Sequence, residues 1–242
     1  GNSFTMPNYS VTVSATFEFV TEQTVCEDFE SYSGTAYNVA GSLPTGWNVI
    51  FTGSNSAYSP HVATAIYGNA VISNGNGFCF TSGSSTYGTN NYAILPTYEG
   101  TLESISFDYR YESTSYGTLS LGYVTNASNA NTFVSLQTVP ASSTQGTHVT
   151  YSLTNSNIPE NARLAFKWNH TSSYYTCGID NVCVTTQMPL PPCDAVTAIT
   201  VEATQSSAVL TITGGSGLYN IETKEGNANW VSVASNVSGQ SY

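Results

Sequence analysis

The chain is poor in cations. Lys and Arg supply 4 of 242 residues against 15 Asp and Glu, leaving a formal net charge of −11. Such a surface cannot neutralise a phosphate backbone, which excludes nucleic acid as the natural partner. Long apolar runs are missing as well: no stretch reaches the roughly 18 residues a spanning helix needs, so no membrane insertion is expected. The opening residues, Gly1-Asn2-Ser3-Phe4-Thr5-Met6-Pro7, lack the basic and apolar regions of a secretion signal. Several motifs of common chemistries are absent too. There is no HExxH, no G-x-S-x-G turn and no C-x-x-C, and the glycine-rich stretch Ser73–Gly88 lacks the Gly-Lys-Ser/Thr end of a phosphate loop.

What is present is polar yet foldable. Ser, Thr and Asn number 33, 33 and 22, while 17 Tyr, 10 Phe and 3 Trp are spread along the chain. Those aromatics provide the buried area that offsets chain entropy, so globular domains are expected rather than an acidic disordered segment. Period-two alternation recurs in Tyr9–Val13, Ile105–Tyr109, Leu119–Tyr123, His148–Tyr151 and Arg163–Trp168, putting apolar side chains on one sheet face. Ser/Asn/Gly clusters supply the turns between them, and no capped window has helical period. The fold class is therefore all-β.

The sharpest break in composition is Met188-Pro189-Leu190-Pro191-Pro192, where three of five positions cannot donate a backbone hydrogen bond. A linker is expected over 188–194. Beyond it, Ala198–Ala203, Ala208–Thr213, Leu218–Thr223 and Trp230–Val233 read as four short strands. These are too few for a seven-stranded sandwich, so 195–242 reads as a partial immunoglobulin-like or fibronectin type III-like domain. The chain reads as starting in mid-strand and stopping inside a domain, so a segment of a larger multidomain chain is expected. Five cysteines with so few Lys suit an oxidising, extracellular setting, and the odd count leaves at least one unpaired.

Two stretches resemble known families. Ser3 to Phe17, with Phe4-x-Met6-Pro7 followed by Val11-Thr12-Val13-x-Ala15-x-Phe17, is similar to the closing strand of internalin B-type repeats of bacterial surface proteins. Residues 1–20 would then be a remnant of a preceding repeat. In 21–187 the order Cys26-Glu27-Asp28-Phe29-Glu30, Leu43-Pro44-Thr45-Gly46-Trp47, Leu102 to Arg110, Leu164 to Trp168 and Gly178-Ile179-Asp180-Asn181-Val182 resembles the cleaved-adhesin family and, beyond it, MAM domains. The resemblance implies a galactose-binding-like, jelly-roll β-sandwich with its first and last strands side by side. It also implies that Glu30 and Asp180 meet and help to hold a calcium ion. Two carboxylates brought together would repel unless a cation neutralises them, and calcium, which takes six to eight oxygens, suits that role. The alternative reading makes Glu30 and Asp180 separate turn-capping acids. The Asp-x-Asp-Gly loop that many family members carry after Gly-Trp is replaced here by Asn48 to Asn55, which argues against a second metal.

If the terminal strands pair antiparallel, partners share a nearly constant sum of residue numbers: 210 for Glu30 with Asp180 and 209 for Cys26 with Cys183. Cys26 is thus expected near Cys183, although the one-residue mismatch needs a bulge to keep both pairs on compatible faces. Cys79 with Cys177 is the second candidate pair, leaving Cys193 over. Other pairings stay open, as do buried free thiols.

Catalysis finds little support. His61, His148 and His170 are scattered. The rival is a jelly-roll glycoside-processing enzyme, with Glu103, Asp108 and Glu112 along one strand. Glu103 and Asp108 face opposite ways, however, and Asp108 and Glu112 stand about 13 Å apart, beyond the carboxylate separations of about 5–9.5 Å that glycosidases use. A solvated outer face with Arg110 near the acids fits better. Sugar binding asks only for aromatic platforms with hydroxyl and amide partners. Trp47, Tyr109, Tyr111 and Tyr116 are candidates, but the alternate residues Phe107, Tyr109 and Tyr111 suit an interior. Tyr174 and Tyr175, in a polar loop, are the preferred ligand-binding residues. The sequence reading is a non-catalytic, calcium-stabilised adhesin or carbohydrate- or protein-binding module, extracellular or on a bacterial surface, its partner a host or environmental glycan or protein. A structural spacer is the third reading.

Overall fold

Alternating apolar residues between Ser/Asn/Gly-rich turns give extended strands that must bury one face, and two such sheets bury it against each other. The computed structural model describes residues 20–189, then 196–203, 208–214, 218–223 and 231–238. The repeat-like segment 1–19, linker residues 190–194 and Cys193 lie outside the described residues. The chain divides after Pro189 into two units.

The first unit contains β1 (Val20–Glu27), β2 (Thr35–Ala36), β3 (Asn48–Ile50), β4 (His61–Ala65), β5 (Gly77–Ser82), β6 (Asn90–Ile94), β7 (Thr101–Tyr111), β8 (Thr118–Val124), β9 (Phe133–Thr138), β10 (Thr147–Ser152), β11 (Arg163–Asn169) and β12 (Tyr175–Pro189). One sheet runs β10-β7-β12-β5-β4-β2, with β1 also paired to β12; the other runs β3-β6-β11-β8-β9. The chain passes repeatedly from one sheet to the other, and the first and last strands lie side by side. This is a jelly-roll β-sandwich. The described helical residues form three single 3₁₀ turns.

The core is aromatic. Phe29, Trp47, Phe78, Phe80, Phe107, Tyr109, Tyr111, Phe166 and Trp168 fill the space between the sheets, with Phe107 edge-on to Phe166 at 4.8 Å and Tyr111 edge-on to Trp168 at 4.9 Å. Trp47, Tyr109 and Tyr111, named above as possible sugar platforms, are therefore core residues. The buried Tyr111 hydroxyl is satisfied, donating to the Val139 carbonyl and accepting from the Leu119 amide. A smaller cluster of Ala63, Ile66, Ile72 and Cys79, with Tyr37 against it, covers the other face of the first sheet.

Cys26 faces Cys183 in the β1–β12 ladder, and the two form a disulfide. Cys79 and Cys177 do not; both are buried free thiols. The register gives the reason. Cys177 lies opposite Phe80, and Cys79 opposite Gly178. The one-residue offset points Cys177 into the main core and Cys79 into the smaller outer cluster. The linker boundary also shifts: Met188 and Pro189 remain in the β12 ladder, opposite Thr21 and Val20.

The second unit contributes β13 (Val196–Ala203) paired with β14 (Ala208–Gly214), and β15 (Leu218–Thr223) paired with β16 (Val231–Ser238), both antiparallel.

Candidate functional site

β5 and β1 lie end to end along one edge of β12. β5 pairs with Tyr175–Ile179 and β1 with Val182–Pro189, so the Asp180-Asn181 pair falls in the gap between them. There the β12–β7 register also shifts, and Asn181 is left-handed with φ 48°. Two loops enter this gap, 28–34 after β1 and 73–76 before β5. Phe29, itself left-handed at φ 60°, buries its ring completely and donates its amide to Glu27 Oε1 at 2.8 Å. That anchor sets Glu30 over the second loop.

Glu30 and Asp180 both grip that second loop. Glu30 Oε1 accepts from the Asn76 amide at 2.9 Å, and Asp180 Oδ2 from the Asn74 amide at 3.2 Å. A side chain at Gly75 would overlap the Glu30 carboxylate. Glu30 is not a ladder residue, since β1 ends at Glu27, so the mismatch of sums does not flip a face. Asp108, opposite Asp180 on β7, closes the group. It accepts from Ser73 Oγ at 2.6 Å and Asn181 Nδ2 at 2.8 Å, and lies 2.7 Å from His148 Nδ1.

The electrostatics differ between these acids. Burial, with Asp108 and Glu30 nearby, pushes the Asp180 carboxyl up to about 6 although two amides bond it. Burial also raises Asp108, but the bonds from Ser73, Asn181 and His148 outweigh it and hold Asp108 below the ordinary carboxylate range. Arg110, expected near the acids, instead donates to the Val71 and Ser143 carbonyls and orders the neighbouring loops. Among the described residues, neither Glu30 nor Asp180 has an ion-pair partner. No three His, Cys, Asp or Glu side chains among them form a metal-holding group. A cation between Glu30 and Asp180 would thus draw its remaining ligands from neutral oxygens, which suits a hard ion.

Within this group the Asp108 carboxylate bonds Ser73 through one oxygen and His148 through the other. Glu112 accepts from the Thr176 amide at 2.8 Å and its hydroxyl at 2.9 Å, a structural use.

Tyr174 lies elsewhere, in a cluster sequence spacing did not reveal. Its ring packs on Tyr87 at 4.7 Å, Tyr67 at 5.8 Å, and Tyr37 and Tyr58 at 6.2 Å each. The five tyrosines come from five chain segments. At 4.7–6.2 Å the rings pack against one another, at interplanar angles from 24° to 74°. Tyr67 is 44% exposed. The Tyr37 and Tyr174 hydroxyls lie 3.4 Å apart. Burial, then that hydroxyl, raises Tyr37 well above the ordinary phenol range. Tyr175 points the other way, against the main core, and stacks with Tyr116 at 4.5 Å.

A separate cavity of about 320 Å³ is lined by Tyr98, Leu102, Leu153, Ile158, Pro159 and Glu160, among others, and includes none of the acids or tyrosines described above. Among the described residues no helix is long and apolar enough to cross a membrane.

No family profile and no curated protein sequence matches the chain. Similar solved structures include the K3 cleaved adhesin domain of Lys-gingipain from Porphyromonas gingivalis W83, at 13% identity and TM-score 0.46, covering 69% of this chain and 99% of that one. A glycoside hydrolase domain, Endo-D from Streptococcus pneumoniae R6, is 14% identical with TM-score 0.41, over 90% of this chain and 37% of the other. The family 11 carbohydrate-binding module from Clostridium thermocellum, solved with a mixed-linked tetrasaccharide, is 14% identical with TM-score 0.37, over 70% and 96%.

Proposed function

We propose that the first unit is an extracellular, non-catalytic binding module of a bacterial surface or secreted protein, with the tyrosine face as its contact surface for a glycan. The observation that carries this reading is the convergence of Tyr37, Tyr58, Tyr67, Tyr87 and Tyr174 from separate segments onto one partly exposed face. An aromatic platform lends its π-face to the apolar side of a sugar ring, and the hydroxyls supply hydrogen bonds. The three basic residues of this unit are used elsewhere. Arg110 and Arg163 donate to backbone carbonyls, and Lys167 lies over Phe133. No such cation is left to pair with an acidic ligand, which favours a neutral one.

In this reading calcium is structural, held by Glu30 and Asp180 and joining the two ends of the domain. The disulfide fits an oxidising compartment. The second unit belongs to a fibronectin type III-like domain in a larger chain. A glycan array followed by calorimetry of the hits tests the binding role. Binding of neutral glycans without turnover, lost in Tyr67→Ala and Tyr174→Ala while the far-UV circular dichroism spectrum is retained, is expected. Binding that survives both substitutions would move the site elsewhere, and glycan hydrolysis would make the chain an enzyme.

A further inference from the structure

The platform has a neighbour. Tyr116 lies nearly parallel to Tyr175, 21° between planes with centroids 4.5 Å apart, and His170 meets both rings edge-on at 5.9 and 4.9 Å. The stack is held from beneath. Tyr175 packs on the core, its carbonyl accepts from Trp168 Nε1 at 2.9 Å, and the His170 amide donates to the Thr89 carbonyl. Gly117, at φ 82°, lies so close on the Trp168 ring that a Cβ there would overlap it, and this close approach seats the 113–117 loop with Tyr116 over Tyr175. Tyr116 remains 49% exposed, with one ring face on Tyr175. The His170 Nε2 and the Ser172 hydroxyl, 3.1 Å apart, are polar groups on the same loop.

Tyr174 and Tyr175 are consecutive, so their rings leave opposite sides of one extended segment. The two aromatic surfaces therefore lie on opposite sides of that segment. One sugar ring cannot cover both. Resting on the glycan reading above, we propose that Tyr116, stacked on Tyr175 and flanked by His170, is a second sugar subsite, and that the ligand is an uncharged oligosaccharide chain crossing the 170–175 loop from one platform to the other. The three Lys and Arg side chains of this unit are engaged on backbone carbonyls and on Phe133, so both platforms suit a neutral chain. Two linked subsites convert the second contact into an intramolecular one, and affinity should rise with chain length until both are filled.

The test uses the whole chain and calorimetric titration with neutral gluco-, manno- and galacto-oligosaccharides of one to six units. Wild type should bind the hexamer of its preferred series about tenfold more tightly than the dimer, a difference of about 1.4 kcal/mol. Tyr116→Ala, at an exposed position, should remove that gain and leave dimer affinity unchanged, while Tyr116→Trp should keep it. Length-independent binding that Tyr174→Ala abolishes, or a full length gain in Tyr116→Ala, would overturn the second subsite and spare the first. No binding of any neutral oligosaccharide by wild type would overturn the glycan reading and the subsite with it.

Discussion

Substituting Asp180 by Asn tests the calcium clasp, because the structure makes the carboxylate costly when no cation is present. Asp180 is 1% exposed, and its rise from 3.8 to about 6 converts to about 3 kcal/mol of unfavourable free energy at neutral pH. The sign follows from linkage. A carboxyl raised in the fold takes up its proton more readily there, so its unfavourable contribution is absent below about pH 4 and grows as pH rises through about 6. In chelator, wild type should therefore lose stability between about pH 4 and pH 7. Calcium should reverse that loss. At 10 mM calcium and a dissociation constant of about 10⁻⁴–10⁻³ M, as in extracellular modules, mass action gives about 1.4–2.7 kcal/mol. For a domain of this size that raises the melting temperature by about 3–11 °C. Differential scanning calorimetry in EDTA and in calcium reads it directly. Asp180→Asn keeps the shape, removes the charge at the cost of one of the two backbone-amide bonds, and should show no calcium shift. An equal calcium shift in wild type and variant, or none in wild type, would refute the clasp.

Gly75→Ala should act on the same clasp from the loop side. It displaces the Glu30 carboxylate and strains a residue at φ 60°, costing about 1–2 kcal/mol and lowering calcium affinity in the same titration; unchanged affinity would put the ion elsewhere. Removing the Cys26–Cys183 bridge, which spans 157 residues, should lower stability by about 3–5 kcal/mol, measured by urea unfolding of Cys26→Ser/Cys183→Ser against wild type. Cys79 and Cys177 should resist iodoacetamide in the folded protein and react on unfolding without reductant, since burial raises both thiols far above their ordinary range. A Cys79–Cys177 cross-linked peptide in a non-reducing digest would contradict the register.

The legible parts of the sequence were those with a periodic cause. Phe107, Tyr109 and Tyr111 alternate because a strand has period two, and all three are buried. Antiparallel pairing imposes a constant sum, which let Cys26 and Cys183 be matched across the whole domain. No such sum joined Cys79 to Cys177, where a single-residue offset sends adjacent thiols to opposite faces and nothing in the sequence fixes that register. Asp108 was visible only as a strand acid. Its place opposite Asp180 depends on the β7–β12 pairing, and its bonds to Ser73 and His148 on where two further segments fall. The tyrosine face left no trace in spacing, because its members come from five segments that only the tertiary fold gathers.

Strand β12 explains why the two proposed sites have separable roles. It opens at Tyr175, beside the aromatic platforms, reaches Asp180 five residues on and Cys183 three further. Tyr175 and Asp180 are thus about 17 Å apart along one extended backbone. An ion at Asp180 therefore makes no direct contact with a ligand on Tyr174 or Tyr116. The Cys26–Cys183 bridge and the ladder beyond it hold the first and last strands of the unit together on the far side of the gap from the platforms. An ion at Glu30 and Asp180 then acts on binding through the folded population alone: it sets how much of the protein carries an assembled tyrosine face, while the rings of that face set how tightly each folded copy holds its ligand.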